Sequence, residues 1–305
     1  MSLTRHTYEG LTWIDLVRPT REEASQIIET YGVHPVVAEE LLENTRKPRI
    51  DLYDNHIFLI LHFPALRHTH NVDTLQEIDF IIGKKFLITT RYDEIDAIHK
   101  FAQVFETNTI VHHEPIGNHA GYLFYFLIKK LYRSLEHELE SIESELDEIE
   151  LRIFEGKERD MVHQLSLRGR DITDFKKALG YHFEVLESLE IAGKTFFGPE
   201  FSFHLSRIIG EYKRVNHQLD GEQTYFTELR ETNNSLLSTK QNEIMKTLTI
   251  IAFIVFPMTL VGTLFGMNTE ATPVIGGQYD FWIVIGIMLA FSFCTFLIFK
   301  FRRWL

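Results

Sequence analysis

"NEIMKTLTIIAFIVFPMTLVGTLFGMN", Asn242 to Asn268, carries Glu243 and Lys246 near its start and no charge afterwards. From Thr247 to Phe265 it holds 19 consecutive uncharged residues, and Phe281 to Phe299 holds another 19. A membrane-spanning helix needs about 20 such residues. A soluble core helix of that length normally keeps a polar face, which the second run lacks. The pair is therefore expected to form two transmembrane helices, 247–265 and 281–299, joined by a short loop, 266–280.

The flanks give the direction. Lys240 and Lys246 precede the first span, and Lys300, Arg302 and Arg303 follow the second. The loop has no basic residue and holds Glu270 and Asp280. By the positive-inside rule both termini are expected in the cytosol and the loop outside, in a multi-pass protein of the cell membrane. Trp282 and Trp304 stand where interfacial aromatics belong. Pro257 removes one backbone bond within the first span and predicts a local kink.

Net charge is −12 over 305 residues. Residues 247–305 hold three basic and two acidic side chains, so the acidic excess lies wholly in residues 1–246. Such a region argues against nucleic acid as a partner, because a phosphate backbone calls for a basic patch. It suits solubility or a cationic ligand, and charge alone does not separate the two. The single cysteine, Cys294, leaves no intrachain disulfide and no multi-cysteine zinc site. The N-terminal stretch "MSLTRHTYEGLTWIDL" has no apolar signal core.

Residues 1–117 read as a cytosolic α/β domain. "LTWIDLV", Leu11 to Val17, alternates as a strand. Thr20 caps a helix that opens with Arg21, Glu22 and Glu23 and stops at Gly32; a second helix, "VVAEELLEN", follows Pro35. Strands are expected in "RIDLYDN", "HIFLILHFPAL" and "EIDFIIGKKFLITTR", the last folded at Gly83–Lys85 into a hairpin. No GxGxxG, P-loop, CxxC or HExxH occurs, so no catalytic signature points to an enzyme. His68, His70, His112, His113 and Glu114 read as polar loop residues, since neighbouring side chains on a strand or helix diverge.

Residues 118–246 read as a helical stalk domain. Leu131, Leu135, Leu139, Ile142, Leu146, Ile149 and Ile153 draw one apolar helix face. Eight acidic residues and no Lys or Arg lie between Glu136 and Glu150: either a solvated face or a surface that attracts divalent cations. "FEGKERD" predicts a turn, a second helix runs to about Ala192, and "AGKTFFGPE" separates it from a third. That third helix starts near Pro199 and meets no further proline before Pro257, so it runs from the stalk into the membrane. At about 1.5 Å per residue, some 60 residues make about 90 Å of helix. One chain has little to pack against it, and association of several copies buries it.

Two adjacent heptad rows along this helix are small or polar. One reads Glu231, Ser238, Met245, Ala252, Thr259, Gly266; the other Ser235, Asn242, Thr249, Phe256, Thr263. Such a stripe on a spanning helix faces other helices or water. Close packing and a pore made by copies of the same helix both fit. Met245, Leu248 and Phe256 would then form apolar rings able to gate by dewetting.

Gly266-Met267-Asn268 at the outer end of the penultimate span resembles the CorA family of divalent-cation transporters. So do "WIDLVRPTREE", "HPVVAEELLENTRKPRIDLYDNHIFLIL" and the basic ending "KFRRWL", Lys300 to Leu305. The resemblance implies a homopentamer in the lipid bilayer, with an α+β architecture: a cytosolic α/β domain, a stalk helix that becomes the pore-lining span, and an outer second span. It implies passive passage of Mg²⁺, with Co²⁺ or Ni²⁺ also carried, and gating by cytosolic Mg²⁺. A zinc-transporting branch shares the same motif, which leaves Zn²⁺, with or without proton coupling, as the alternative; a non-conducting membrane-anchored signalling protein is another. Asn268 is implied as a cation-facing ring, with Gly266 and Met267 shaping its backbone and Glu270 at the mouth. The implied lower pore is Asn242, Met245, Leu248, Ala252, Phe256 and Thr259, and Glu231 matches an acidic, metal-facing position. In two places the chain departs from the family: Val274, not an acid, follows Pro273, and a stalk-helix acid falls near Arg207.

Overall fold

The structure is a computed structural model. It describes residues 3–8, 10–45, 47–65, 75–92, 95–106, 117–267 and 277–302. Two compact units divide the chain, Met1–Arg230 and Glu231–Leu305.

The first unit opens with β1 (Leu3–Tyr8), β2 (Leu11–Val17), α1 (Arg21–Tyr31) and α2 (Pro35–Glu40). β3 (Arg49–Leu52), β4 (His56–Pro64), β5 (Leu75–Gly83) and β6 (Phe86–Arg91) complete one sheet of order β1-β2-β6-β5-β4-β3. β2 and β6 run parallel; every other neighbouring pair is antiparallel. The β5–β6 hairpin turns at Lys84–Lys85, with Ile82 opposite Leu87. β1 had no counterpart in the sequence reading; among the described residues it pairs only with β2.

Local chemistry sets α1. The Thr20 hydroxyl accepts the Glu23 N–H at 3.3 Å, and the Glu23 carboxylate accepts the Thr20 N–H at 2.8 Å. Two helix-end donors are thereby satisfied. Gly32 then closes the helix at φ 64°, a conformation that favours glycine. α2 ends at Glu40, earlier than the expected run to Asn44. Beyond it the Tyr92 hydroxyl takes the Glu43 carbonyl at 2.9 Å and Glu77 takes the Thr45 N–H at 2.6 Å, so tertiary bonds replace helical ones.

α1 and α2 cover one face of the sheet through Ile27, Val37 and Leu41, over Leu16, Phe58, Ile60, Ile81 and Ile88. Each such fully buried aliphatic side chain contributes about 1.5–3 kcal/mol. α3 (Asp96–Glu106) brings Phe101 edge-on to Trp13 at 5.2 Å. α4 (Gly121–Phe154) sets Phe124 edge-on to Phe80 at 5.3 Å. The seven apolar residues expected on one face of α4 are all buried.

α5 (Glu158–Leu179) and α6 (His182–Phe197) replace the single helix expected up to Ala192. The chain breaks at Gly180 and Tyr181, and α6 continues through "AGKTFF". Gly193 does not end it: a Cβ there would lie 2.4 Å from Leu205 Cδ1, so this glycine allows close helix contact. Gly198, at φ 103°, supplies the stop. The break places His182 beneath the sheet, where its Nε2–H donates to the His62 carbonyl at 2.7 Å. Its Nδ1 accepts the Tyr132 hydroxyl at 2.8 Å.

After a 3₁₀ turn at Pro199–Phe201, α7 runs from Ser202 to Phe265. Gly210, Gly221 and Pro257 do not interrupt it. In the second unit the C-terminal part of α7 packs on α8 (Asp280–Phe301). Phe253 meets Phe299 at 5.8 Å, and the Ser292 hydroxyl donates to the Ile254 carbonyl at 3.1 Å.

Candidate functional site

Two opposite faces can be told apart on α7 within the second unit. Ile250 and Val261 are 6% and 8% exposed. With Ile254 and Phe265 they span an arc of about 60° at about 100° per residue. That arc meets α8. Met245, Leu248 and Phe256 are 55%, 55% and 71% exposed. With Asn242, Thr249, Ala252, Thr259, Thr263 and Gly266 they centre about 180° from it. All of these except half-buried Thr249 are exposed. Glu231, Ser235 and Ser238 are exposed on the same side, nearer the start of the unit.

α8 therefore leaves uncovered the face on which the polar and small residues lie. The amides and hydroxyls of a spanning helix avoid lipid. Sequence alone located the stripe but not the partner face. The separating signal is Ser292, one of two hydroxyls in the apolar second run: Thr295 bonds within its own helix, while Ser292 reaches across and marks where the two helices touch.

The hydroxyl chemistry of this face is one-sided. Thr249 donates to the Met245 carbonyl at 2.8 Å and Thr259 to the Val255 carbonyl at 3.1 Å. Thr263 donates to the Thr259 and Leu260 carbonyls, both at 2.9 Å. A hydroxyl has one proton and two lone pairs. Once the proton is spent on the helix's own backbone, only acceptors point outward. Water bound to a cation turns its hydrogens outward, so this surface suits a hydrated cation.

The helical backbone persists to Gly266, whose N–H reaches the Gly262 carbonyl at 3.0 Å. Met267 is exposed. Asn268 and Glu270 lie outside the described residues, as do His68, His70, His112, His113 and Glu114.

In the first unit much of the acidic run is bonded. Glu145 pairs with Arg168 at 2.7 Å, Glu136 with Arg214, and Glu148 with Arg152. Asp147 and Glu150 share the Tyr225 hydroxyl at 2.9 and 3.0 Å. Glu222 of α7, which the sequence reading did not single out, is buried beside Glu143 and Asp147. Burial first, and those two carboxylates second, push its carboxyl up to about 7. Among the described residues, no three His, Cys, Asp or Glu side chains come together as a metal cage.

An α/β and helical unit followed by two apolar helices, one bearing small and polar residues along one face, defines a two-span integral membrane protein. The sequence profile of the CorA-like Mg²⁺ transporter protein family matches residues 8–303, and this chain belongs to that family. The cobalt/magnesium transport protein CorA of Thermotoga maritima is 25% identical over 296 residues, 96% of this chain and 83% of that protein. The protein of the same name from Methanocaldococcus jannaschii is 25% identical over 301 residues, 97% of this chain and 92% of that one. The complete structure of the CorA magnesium transporter from M. jannaschii has the same fold: TM-score 0.81 at 22% identity, covering 98% of this chain and 94% of that one.

Proposed function

We propose that this chain passes hydrated divalent cations, Mg²⁺ first and Co²⁺ or Ni²⁺ with it, down their gradient through a central pore. Five copies place the stripe of α7 around one axis, with both termini in the cytosol. The observation that carries this reading is the uncovered polar face opposite α8. It holds Asn242, Thr249, Thr259 and Thr263 next to the apolar Met245, Leu248 and Phe256. Mg²⁺ sheds water reluctantly, so acceptor oxygens that hold its water shell serve better than ligands that strip it. Asn268 stands at the outer end of the stripe as the selectivity ring, and Glu270 gathers cations at its mouth. Glu231 lies at the inner end, and cytosolic Mg²⁺ bound to the acidic domain favours the closed state through its higher affinity for that state.

Purified protein in liposomes loaded with a Mg²⁺ dye tests this. Influx is expected from the intact chain and is lost in Asn268→Ala. No influx from the intact chain removes the proposed function, and equal influx removes only the role of Asn268. The loop offers one acid, with Val274 after Pro273, which keeps Zn²⁺ as the second reading. Competing the two ions under an imposed pH gradient decides between them.

A further inference from the structure

Two cations converge on the ring of Tyr125 in α4: Lys129 Nζ lies 5.7 Å and the Arg207 guanidinium 5.9 Å from its centroid. Arg207 also lies 5.9 Å from the ring of exposed Phe203. Arg133 stands one turn beyond Lys129 on the same helix and is exposed, as is Arg207. Among the described residues none of these three cations reaches a carboxylate. Glu211, one turn from Arg207, is held by Arg214, and so is Glu136. An uncompensated basic knob on an acidic unit calls for an anionic partner.

The complement lies on another layer of the same unit. Between α1 and α2 opens a cleft of about 1110 Å³. Glu39, Glu40 and Glu43 line it, with Arg21 as the one base among the described lining residues. Arg49 holds Glu40. The side chains of Glu39 and Glu43 are exposed and meet no cation among the described residues. Ile28 and exposed Val36 add an apolar wall.

β5 fixes how knob and cleft are related. Phe80 meets Phe124 of α4, and Ile81, the next residue, belongs to the core beneath α1 and α2. Successive strand residues face opposite sides. Knob and cleft therefore stand back to back at one level of the sheet. A chain cannot place its knob in its own cleft, whereas a rotated second copy brings the two together. Contact between unlike surfaces repeats from copy to copy and closes into a ring when the rotation allows.

We propose that the knob of Lys129, Arg133 and Arg207 docks in the cleft lined by Glu39 and Glu43 of a second copy of this chain, with Phe203 against Val36. The planar fork of an arginine suits a carboxylate. One chain supplies both halves at a matching level, which favours a second copy over a foreign protein. The proposal rests on the association of copies in the pore reading and not on conduction.

Native mass spectrometry of the full chain in detergent tests it. Lys129→Glu with Arg207→Glu is expected to lower the assembled share several-fold, and so is Glu39→Lys with Glu43→Lys. All four changes together are expected to restore it. Reversal is used because facing like charges cost more than a lost pair. Charge variants that assemble like the natural chain, or a combination no better than its halves, overturn the contact and leave the association of copies standing. A natural chain that stays monomeric removes both. If a reversal fails to fold, Arg207→Cys with Glu43→Cys in a Cys294→Ser chain keeps the test. A short bis-maleimide is then expected to give a ladder of cross-linked chains beyond dimers, and either cysteine alone none. No ladder, or cross-links that stop at dimers, overturns the docking. Influx measurements address conduction separately.

Discussion

The Ser292 hydroxyl meets the Ile254 carbonyl at 3.1 Å, one residue from the Phe253 carbonyl that Pro257 deprives of its helical donor. The second apolar helix thus supports the first where its own ladder is interrupted. Hydrogen bonds between spanning helices average about 0.6 kcal/mol. Ser292→Ala is expected to lower the stability of the detergent-solubilised protein by about that amount. Folding is retained, and thermal or denaturant titration of the two variants measures the difference.

Phe256 is expected to act as a barrier. In the pore reading its ring of copies is wide in apolar surface and narrow in bore, and such constrictions hold back water and ions. Phe256→Ala should raise Mg²⁺ influx into liposomes several-fold, while Ile250→Ala, on the face toward α8, should lower stability and leave selectivity alone. Equal influx from Phe256→Ala and the natural chain removes the barrier from this position.

Glu222 gives the soluble unit a pH dependence with a definite sign. Its folded pKa is raised from 4.5 to about 7. A raised group adds stability fully present below the lower value and lost as pH climbs through the upper one. Glu222→Gln should therefore melt close to the natural chain at pH 4.5 and above it at pH 8. Melting curves at both values check this.

Tyr132 and His182 couple the helices to the sheet. Burial lowers His182 to about 4, so the ring stays neutral and accepts the Tyr132 proton. Its stability is present above the unfolded value and falls away as pH drops toward 4. Tyr132→Phe leaves Nδ1 buried without a donor, at a cost of about 1–3 kcal/mol. Urea titration of the two proteins at pH 7 measures it.

Where a local rule decides, the sequence was enough. The cap at Thr20, the stop at Gly32, the β5–β6 hairpin, the apolar face of α4 and the two uncharged runs all follow from residue type and spacing alone. Elsewhere tertiary contacts decided. α2 stops early because Tyr92 and Glu77 take its next backbone groups. "AGKTFF" stays helical because Gly193 serves Leu205, not a turn. β1 alternates too weakly to be read without β2 beside it. For the candidate site, spacing gave the stripe. Which face lies free required Ile250, Val261 and Ser292 in place. Glu222 was missed because nothing in a single helix announces that an acid is buried.

The three threonines that spend their protons on the helix have one more effect. A chloride ion is solvated by hydrogens and would meet only lone pairs along Thr249, Thr259 and Thr263. In the pore reading these hydroxyls would favour cations over anions, adding to the carboxylates of Glu231 and Glu270 at the two ends.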